Sequence, residues 1–154
     1  MHLRLLLSAA LLFSTMGCSK KEDPAPPPAP SVGRNEGHYV YNGRPTDCTA
    51  TALVQSSIGV DVLTLVLTTK PQPATGPEAL RLIFRKDSNR PVSGYTPVQL
   101  QRVVNGMVEA SYGVNSWSVT TSPSGGYSGT FSSNNSYLPI PVSFTDGTFT
   151  DVRP

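Results

Sequence analysis

Val60-Asp61-Val62-Leu63-Thr64-Leu65-Val66-Leu67-Thr68-Thr69 is the stretch from which the fold is read. In an extended chain successive side chains point to opposite faces, so Leu63, Leu65 and Leu67 share one side. Val60, Val62, Thr64 and Val66 share the other, and apolar residues on both sides suit an interior strand. Ser56-Ser57-Ile58-Gly59 marks a turn before it, and the Pro- and Gly-rich residues 71–77 form a loop after it. Ala79–Lys86 alternates more cleanly: Leu80, Leu82 and Phe84 are predicted to face a core, Arg81, Ile83 and Arg85 to face out.

From His38 to the C-terminus the same alternation is broken about every eight to twelve residues by turn residues. This predicts one all-β domain over residues 38–154, antiparallel, either a β-sandwich or barrel-like. Tyr39-Val40-Tyr41 leads into an Asn42-Gly43 turn, with Pro45 expected to spoil pairing beyond it, and Cys48–Val54 reads as a strand. Ser88-Asn89-Arg90-Pro91 turns the chain, Ser93-Gly94-Tyr95 is a short strand or a bend, and Gln99–Val104 is a strand or a turn or two of helix. Val114–Thr121 carries the sole Trp, Trp117; Tyr127–Ser133 follows, and Asn134-Asn135-Ser136 reads as a turn. Pro139 and Pro141 lack donors, which confines Leu138–Phe144 to an edge or a strand lead-in.

Two Gly-containing pairs give register predictions. With Asn105-Gly106 as a two-residue turn, Val104 meets Met107 and Arg102 falls opposite Glu109. With Asp146-Gly147 as a second such turn, Phe144 would oppose Phe149 across a terminal hairpin.

The N-terminus carries different information. Arg4 precedes an apolar core, Leu5 to Phe13, broken only by Ser8, and Ser14, Thr15 and Gly17 lead to Cys18. The apolar run is far short of the roughly 20 residues that span a bilayer, and the pattern is that of an export signal over residues 1–17. Met16-Gly17-Cys18 resembles a bacterial lipoprotein lipobox, although Thr15 stands where an aliphatic residue is usual. The resemblance implies that Cys18 receives a diacylglycerol and becomes the mature N-terminus; the alternative is a secreted protein with Cys18 free. Ser19 after the cysteine implies no retention in the inner membrane. Lys21-Glu22-Asp23 is similar to the export signal of surface lipoproteins of the Bacteroidota type, the alternative being a solvated charged tether. Pro24-Ala25-Pro26-Pro27-Pro28-Ala29-Pro30 would be an extended spacer of about 3.1 Å per residue, so residues 18–37 read as a tether. The expectation is an outer-membrane protein held to the membrane through lipid and facing outward.

Ser128-Gly129-Thr130-Phe131 and Phe144–Val152, with Tyr41-Asn42-Gly43, Ser93-Gly94-Tyr95 and Trp117, resemble the strands of short Bacteroidota lipoproteins in uncharacterised domain families. That resemblance implies an all-β fold and no known activity.

Composition narrows the chemistry. From His38 onward eight Lys/Arg face seven Asp/Glu, which leaves no electrostatic footprint for nucleic acid. His38 is the one histidine after the signal and lies at the domain's edge, a poor place for a nucleophilic triad. Cys48 has no partner once Cys18 is lipidated, so it is a small buried hydrophobe or an exposed thiol able to link chains. No paired Cys/His spacing suggests zinc, and Asp87-Ser88-Asn89 and Asp146/Asp151 match no calcium loop, so neither metal nor cofactor is expected. Asp61, Asp87, Glu109, Asp146 and Asp151 are the carboxylates from which a glycosidase pair would have to come, but Asp146 looks committed to a turn and Glu109 to Arg102. Tyr112, Trp117, Tyr127 and Tyr137 are the candidate ligand-binding residues, able to stack on sugar rings or meet a partner protein if displayed rather than buried. The expected role is a non-enzymatic envelope or cell-surface protein, with a carbohydrate- or protein-binding module of a larger surface complex as the alternative.

Overall fold

The computed structural model describes residues 34–135 and 139–154. Its strands are β1 (Glu36–Tyr41), β2 (Arg44–Ser57), β3 (Val60–Lys70), β4 (Glu78–Asp87), β5 (Thr96–Val104), β6 (Met107–Tyr112), β7 (Ser116–Thr121), β8 (Tyr127–Asn135) and β9 (Val142–Val152). A short 3-10 helix, Val92–Gly94, lies between β4 and β5. All the strands join one antiparallel sheet in the order β6-β5-β4-β3-β2-β1-β9-β8-β7. Two meanders, β1–β6 and β7–β9, are thus zipped together by pairing of the first strand with the last.

The sheet rolls on itself. Tyr112 at one edge packs its ring 5.3 Å from Phe144 of β9, and Arg102 of β5 lies 5.4 Å over the ring of Tyr41 in β1. The result is an open, barrel-like body whose two wings face each other as sandwich layers do. Its two unpaired edges, β6 and β7, are consecutive in the chain. The Ser133 hydroxyl closes part of that seam by donating to the Gly113 carbonyl at 2.5 Å.

The inner face follows from alternation in β3 and β4. Leu63 pairs with Phe84, Leu65 with Leu82 and Leu67 with Leu80, and all six are shut off from solvent. Each such side chain contributes about 1.5–3 kcal/mol by leaving water. Gln99–Val104 is strand, part of β5, with Leu100 fully buried. Asn105 and Gly106 both take positive φ, 52° and 78°, and Val104 pairs with Met107 as expected. Arg102 falls opposite Ala110, not Glu109, because a bulge slips the register by one residue. The long guanidinium still reaches the Glu109 carboxylate and also donates through Nε to Glu78 at 2.7 Å.

Three other expectations are corrected. Asp146-Gly147 closes no hairpin: β9 runs through it, and Phe144 and Phe149 lie on one strand, both buried. Thr145 pairs with Val40 and Thr148 with His38, so two residues of β9 oppose the single Tyr39. This is a β-bulge, with Asp146 at φ 51°. Pro45 does not interrupt pairing, since it faces Val40 in the β1–β2 ladder. Asn134 and Asn135 belong to β8, and Asn135 is buried with its amide donating to Ser133 at 2.7 Å. Pro139 and Pro141 precede Val142 and so form the expected lead-in to a strand, here the interior strand β9.

Candidate functional site

The inward rows of β3 and β4 do not end in apolar side chains. The next inward positions are Asp61 and Lys86, which are cross-strand partners. Lys86 Nζ donates to Asp61 Oδ2 at 2.6 Å, and the hydroxyls of Ser56 and Ser88 donate to Oδ1 at 2.7 and 2.8 Å. Donation from Lys86 first, then from the two serines, lowers the Asp61 carboxyl to about 2. The ammonium also lies 5.4 Å from the ring centre of buried Tyr95, whose phenol burial pushes well above its ordinary value. An ion pair inside a hydroxyl cage therefore caps this end of the core.

Over that cap the chain doubles back. Arg90 N–H donates to the Asp87 carbonyl, and Gly94 and Tyr95 N–H donate to those of Pro91 and Val92. The turn leaves an open cleft of about 520 Å³ lined by Arg85, Lys86, Asp87, Arg90, Gly94 and Thr96. Gly94 lets the wall close tightly, since a Cβ there would stand 3.0 Å from that of Arg90. The Thr96 hydroxyl donates to the Arg85 carbonyl at 3.1 Å. Arg85 and Arg90 are exposed, and among the described residues neither guanidinium is paired with a carboxylate.

Trp117 lies beside this wall. Its indole Nε1 donates to the Tyr95 carbonyl at 3.0 Å, and Tyr95 stands between Gly94 and Thr96 of the cleft. Trp117 has the inward phase of Val119, but on an open edge, and it stays 41% exposed. The other candidate aromatics go elsewhere. Tyr127 is half-buried with its ring edge-on to Tyr95 at 6.3 Å, and Tyr112 is half-buried against Phe144. No ring contact joins either of them to Trp117 among the described residues. Tyr137, Cys18, Lys21, Glu22 and Asp23 lie outside the described residues.

The remaining chemistry-bearing side chains are tied up in the fold. His38 Nδ1 meets Asp47 at 2.8 Å on the surface. Cys48 is buried, and desolvation pushes its thiol up to about 12, so it is a small hydrophobe rather than a reactive thiol. Asp151 accepts from Ser122 Oγ at 2.5 Å and from Ser124, and pairs with Arg34 Nε at 3.1 Å. Those serines, then the arginines, hold its carboxyl below the ordinary range. Among the described residues no group of His, Cys, Asp and Glu side chains is placed to hold a metal ion.

The alternation pointed Arg85 outward but gave no reason to join it to Arg90 or Trp117. The available signal was Asp61 and Lys86 standing in the inward phase of otherwise apolar rows. Comparison with protein-family models, with curated proteins and with solved structures finds no match.

Proposed function

We infer that this chain is a lipid-anchored, non-enzymatic protein of the outer membrane that displays a β-domain at the cell surface. The observation that carries the reading is the order of parts: an apolar signal ending at Cys18, then Lys21-Glu22-Asp23, then the Pro24–Pro30 spacer. The start of the body supports it. Asn35 accepts at its carbonyl from Ala50 N–H at 2.7 Å and at Oδ1 from Arg153 N–H at 3.0 Å, so the chain is already tied into the β-body by Asn35. Two or three acyl chains anchor stably where one binds only marginally. The test is labelling with a radioactive fatty acid, with Cys18→Ala as control: label in the membrane fraction, lost in the variant, is expected. Equal partition of both forms to the soluble fraction would refute the anchor. Proteinase applied to intact cells should remove the domain; full protection would refute the outward orientation.

A second reading, carbohydrate binding, is favoured by Trp117. An indole whose N–H is fixed to the Tyr95 carbonyl beside the cleft, and which stays 41% exposed, loses little freedom on stacking against a sugar ring. Binding to arrayed glycans, lost in a folded Trp117→Ala variant, is the expected result. Unchanged binding in that variant would assign the sugar to another surface.

A further inference from the structure

We propose that the cleft between the end of β4 and the 3-10 helix takes the anionic group of an acidic saccharide, a carboxylated or sulfated sugar unit. The proposal rests on the carbohydrate reading of Trp117 and deepens it by naming the ligand's charge.

Lys86 is not the cation offered to a ligand. Its ammonium is almost wholly buried and neutralised by Asp61 at 2.6 Å. That leaves Arg85 and Arg90 in the lining, two exposed guanidinium groups without a carboxylate partner among the described residues, against the single carboxylate of Asp87. Guanidinium is planar and weakly hydrated, and its paired N–H groups match the two oxygens of a carboxylate or sulfate, where an ammonium offers only a point charge. The other arginines with a placed partner are engaged: Arg34 and Arg153 with Asp151, Arg81 with Gln101, and Arg102 with Glu78 and Glu109. The cleft carries Arg85 and Arg90 in its lining, and the partly exposed Trp117 adjoins it through its hydrogen bond to the carbonyl of Tyr95, the residue between Gly94 and Thr96. The pieces are held by the fold itself. Arg85 precedes the anchored Lys86, Arg90 is fixed through its N–H to Asp87, and Trp117 is tied to the residue between Gly94 and Thr96.

The cleft's size favours a sugar unit or two over a polymer groove, since ligand pockets of about 300–1,000 Å³ enclose small molecules. The near-balanced charge of the rest of the domain argues against a nucleic-acid backbone, which needs an extended basic stripe. An oxyanion supplied by free sulfate or phosphate would share the chemistry of the guanidinium pair but would make no use of Trp117.

The test uses the full mature chain in detergent with polygalacturonate, neutral dextran and inorganic sulfate as probes. Arg85→Gln/Arg90→Gln should weaken polygalacturonate binding about tenfold or more, and Trp117→Ala about fivefold, on the scale of lost charge-assisted and stacking contacts. The control Arg44→Gln/Arg81→Gln removes the same charge elsewhere and should change binding less than about twofold, as dispersed surface charge does. Thermal unfolding checks that each variant folds. Equal weakening by both double variants would reduce the effect to net charge and overturn the proposal. Dextran bound as tightly as polygalacturonate, and indifferent to the arginines, would overturn the anionic assignment while leaving the carbohydrate reading intact. Binding to neither polysaccharide would overturn both. Displacement by sulfate at the concentration at which galacturonate units bind would assign the cleft to a free oxyanion and overturn the saccharide.

Discussion

β3 and β9 are both eleven-residue strands with neighbours on either side, yet they reach the core by different rules. In β3 the inward positions Leu63, Leu65 and Leu67 keep strict period two. In β9 the buried, core-facing positions are Val142, Phe144, Gly147, Phe149 and Val152, so the step lengthens to three twice. At each long step stands an aspartate in the left-handed region, Asp146 at φ 51° and Asp151 at φ 45°. A bulge adds a residue to one strand and resets the phase of its pleat. Phe144 and Phe149, an odd number of residues apart, thereby face the same interior. An aspartate or asparagine enters that region at less cost than other residues with a Cβ, which is why one dipeptide chemistry serves both turns and bulges.

Both regimes are open to mutation. The largest effect is expected where regularity packs tightest: Leu65→Ala should cost about 2–5 kcal/mol in a denaturant titration, the range for deleting a fully buried leucine. A cost under about 1 kcal/mol would mean that the β3–β4 rows are not the centre of the core. Gly147→Ala probes the bulge itself. A Cβ there would lie 2.6 Å from the Phe131 ring and from the Phe131 carbonyl, so a loss of about 1–3 kcal/mol is expected. Asp146→Ala should cost about 1 kcal/mol from the left-handed backbone, while Asp146→Asn should hold stability. If Ala and Asn behave alike, that geometry is not what Asp146 supplies.

The β2–β3 turn sharpens the same point from the opposite side. Ile58 sits at φ 42°, wholly exposed, where a β-branched residue is out of place. Ile58→Asn should therefore raise stability by about 1 kcal/mol, and no gain would argue against backbone strain at the turn. The smallest effect concerns the ends of the two wings, where Asp61 and Asp151 are both held below the ordinary carboxylate range. With the folded value of Asp61 near 2 and the ordinary value 3.8, its contribution is complete above about pH 4 and fades as pH falls toward 2. Stability measured across that window should fall less steeply in Asp61→Asn than in the parent chain.

The contrast also accounts for what was legible in the sequence. The inner faces of β3 and β4 and the two-residue turn at Asn105-Gly106 could be read because local alternation and turn chemistry agree there. The phase of β9 could not, since Asp-Gly permits a reversal or a bulge and only the flanking ladders of β1 and β8 choose between them. Arg102 kept its acidic partner after a register slip because a long side chain tolerates one residue of error. The cleft was hidden for a different reason: Arg90, Gly94 and Trp117 are brought together by a loop fold-back and a rolled edge, neither of which leaves a periodic trace.

In the function proposed above, the tether fixes the address and the β-body presents Trp117 and the arginine cleft. The most direct test of that division is mass spectrometry of the mature protein extracted from membranes. A chain beginning at Cys18 and carrying the mass of a diacylglycerol is the expected result; an unacylated N-terminus, or one that begins elsewhere, would contradict the account.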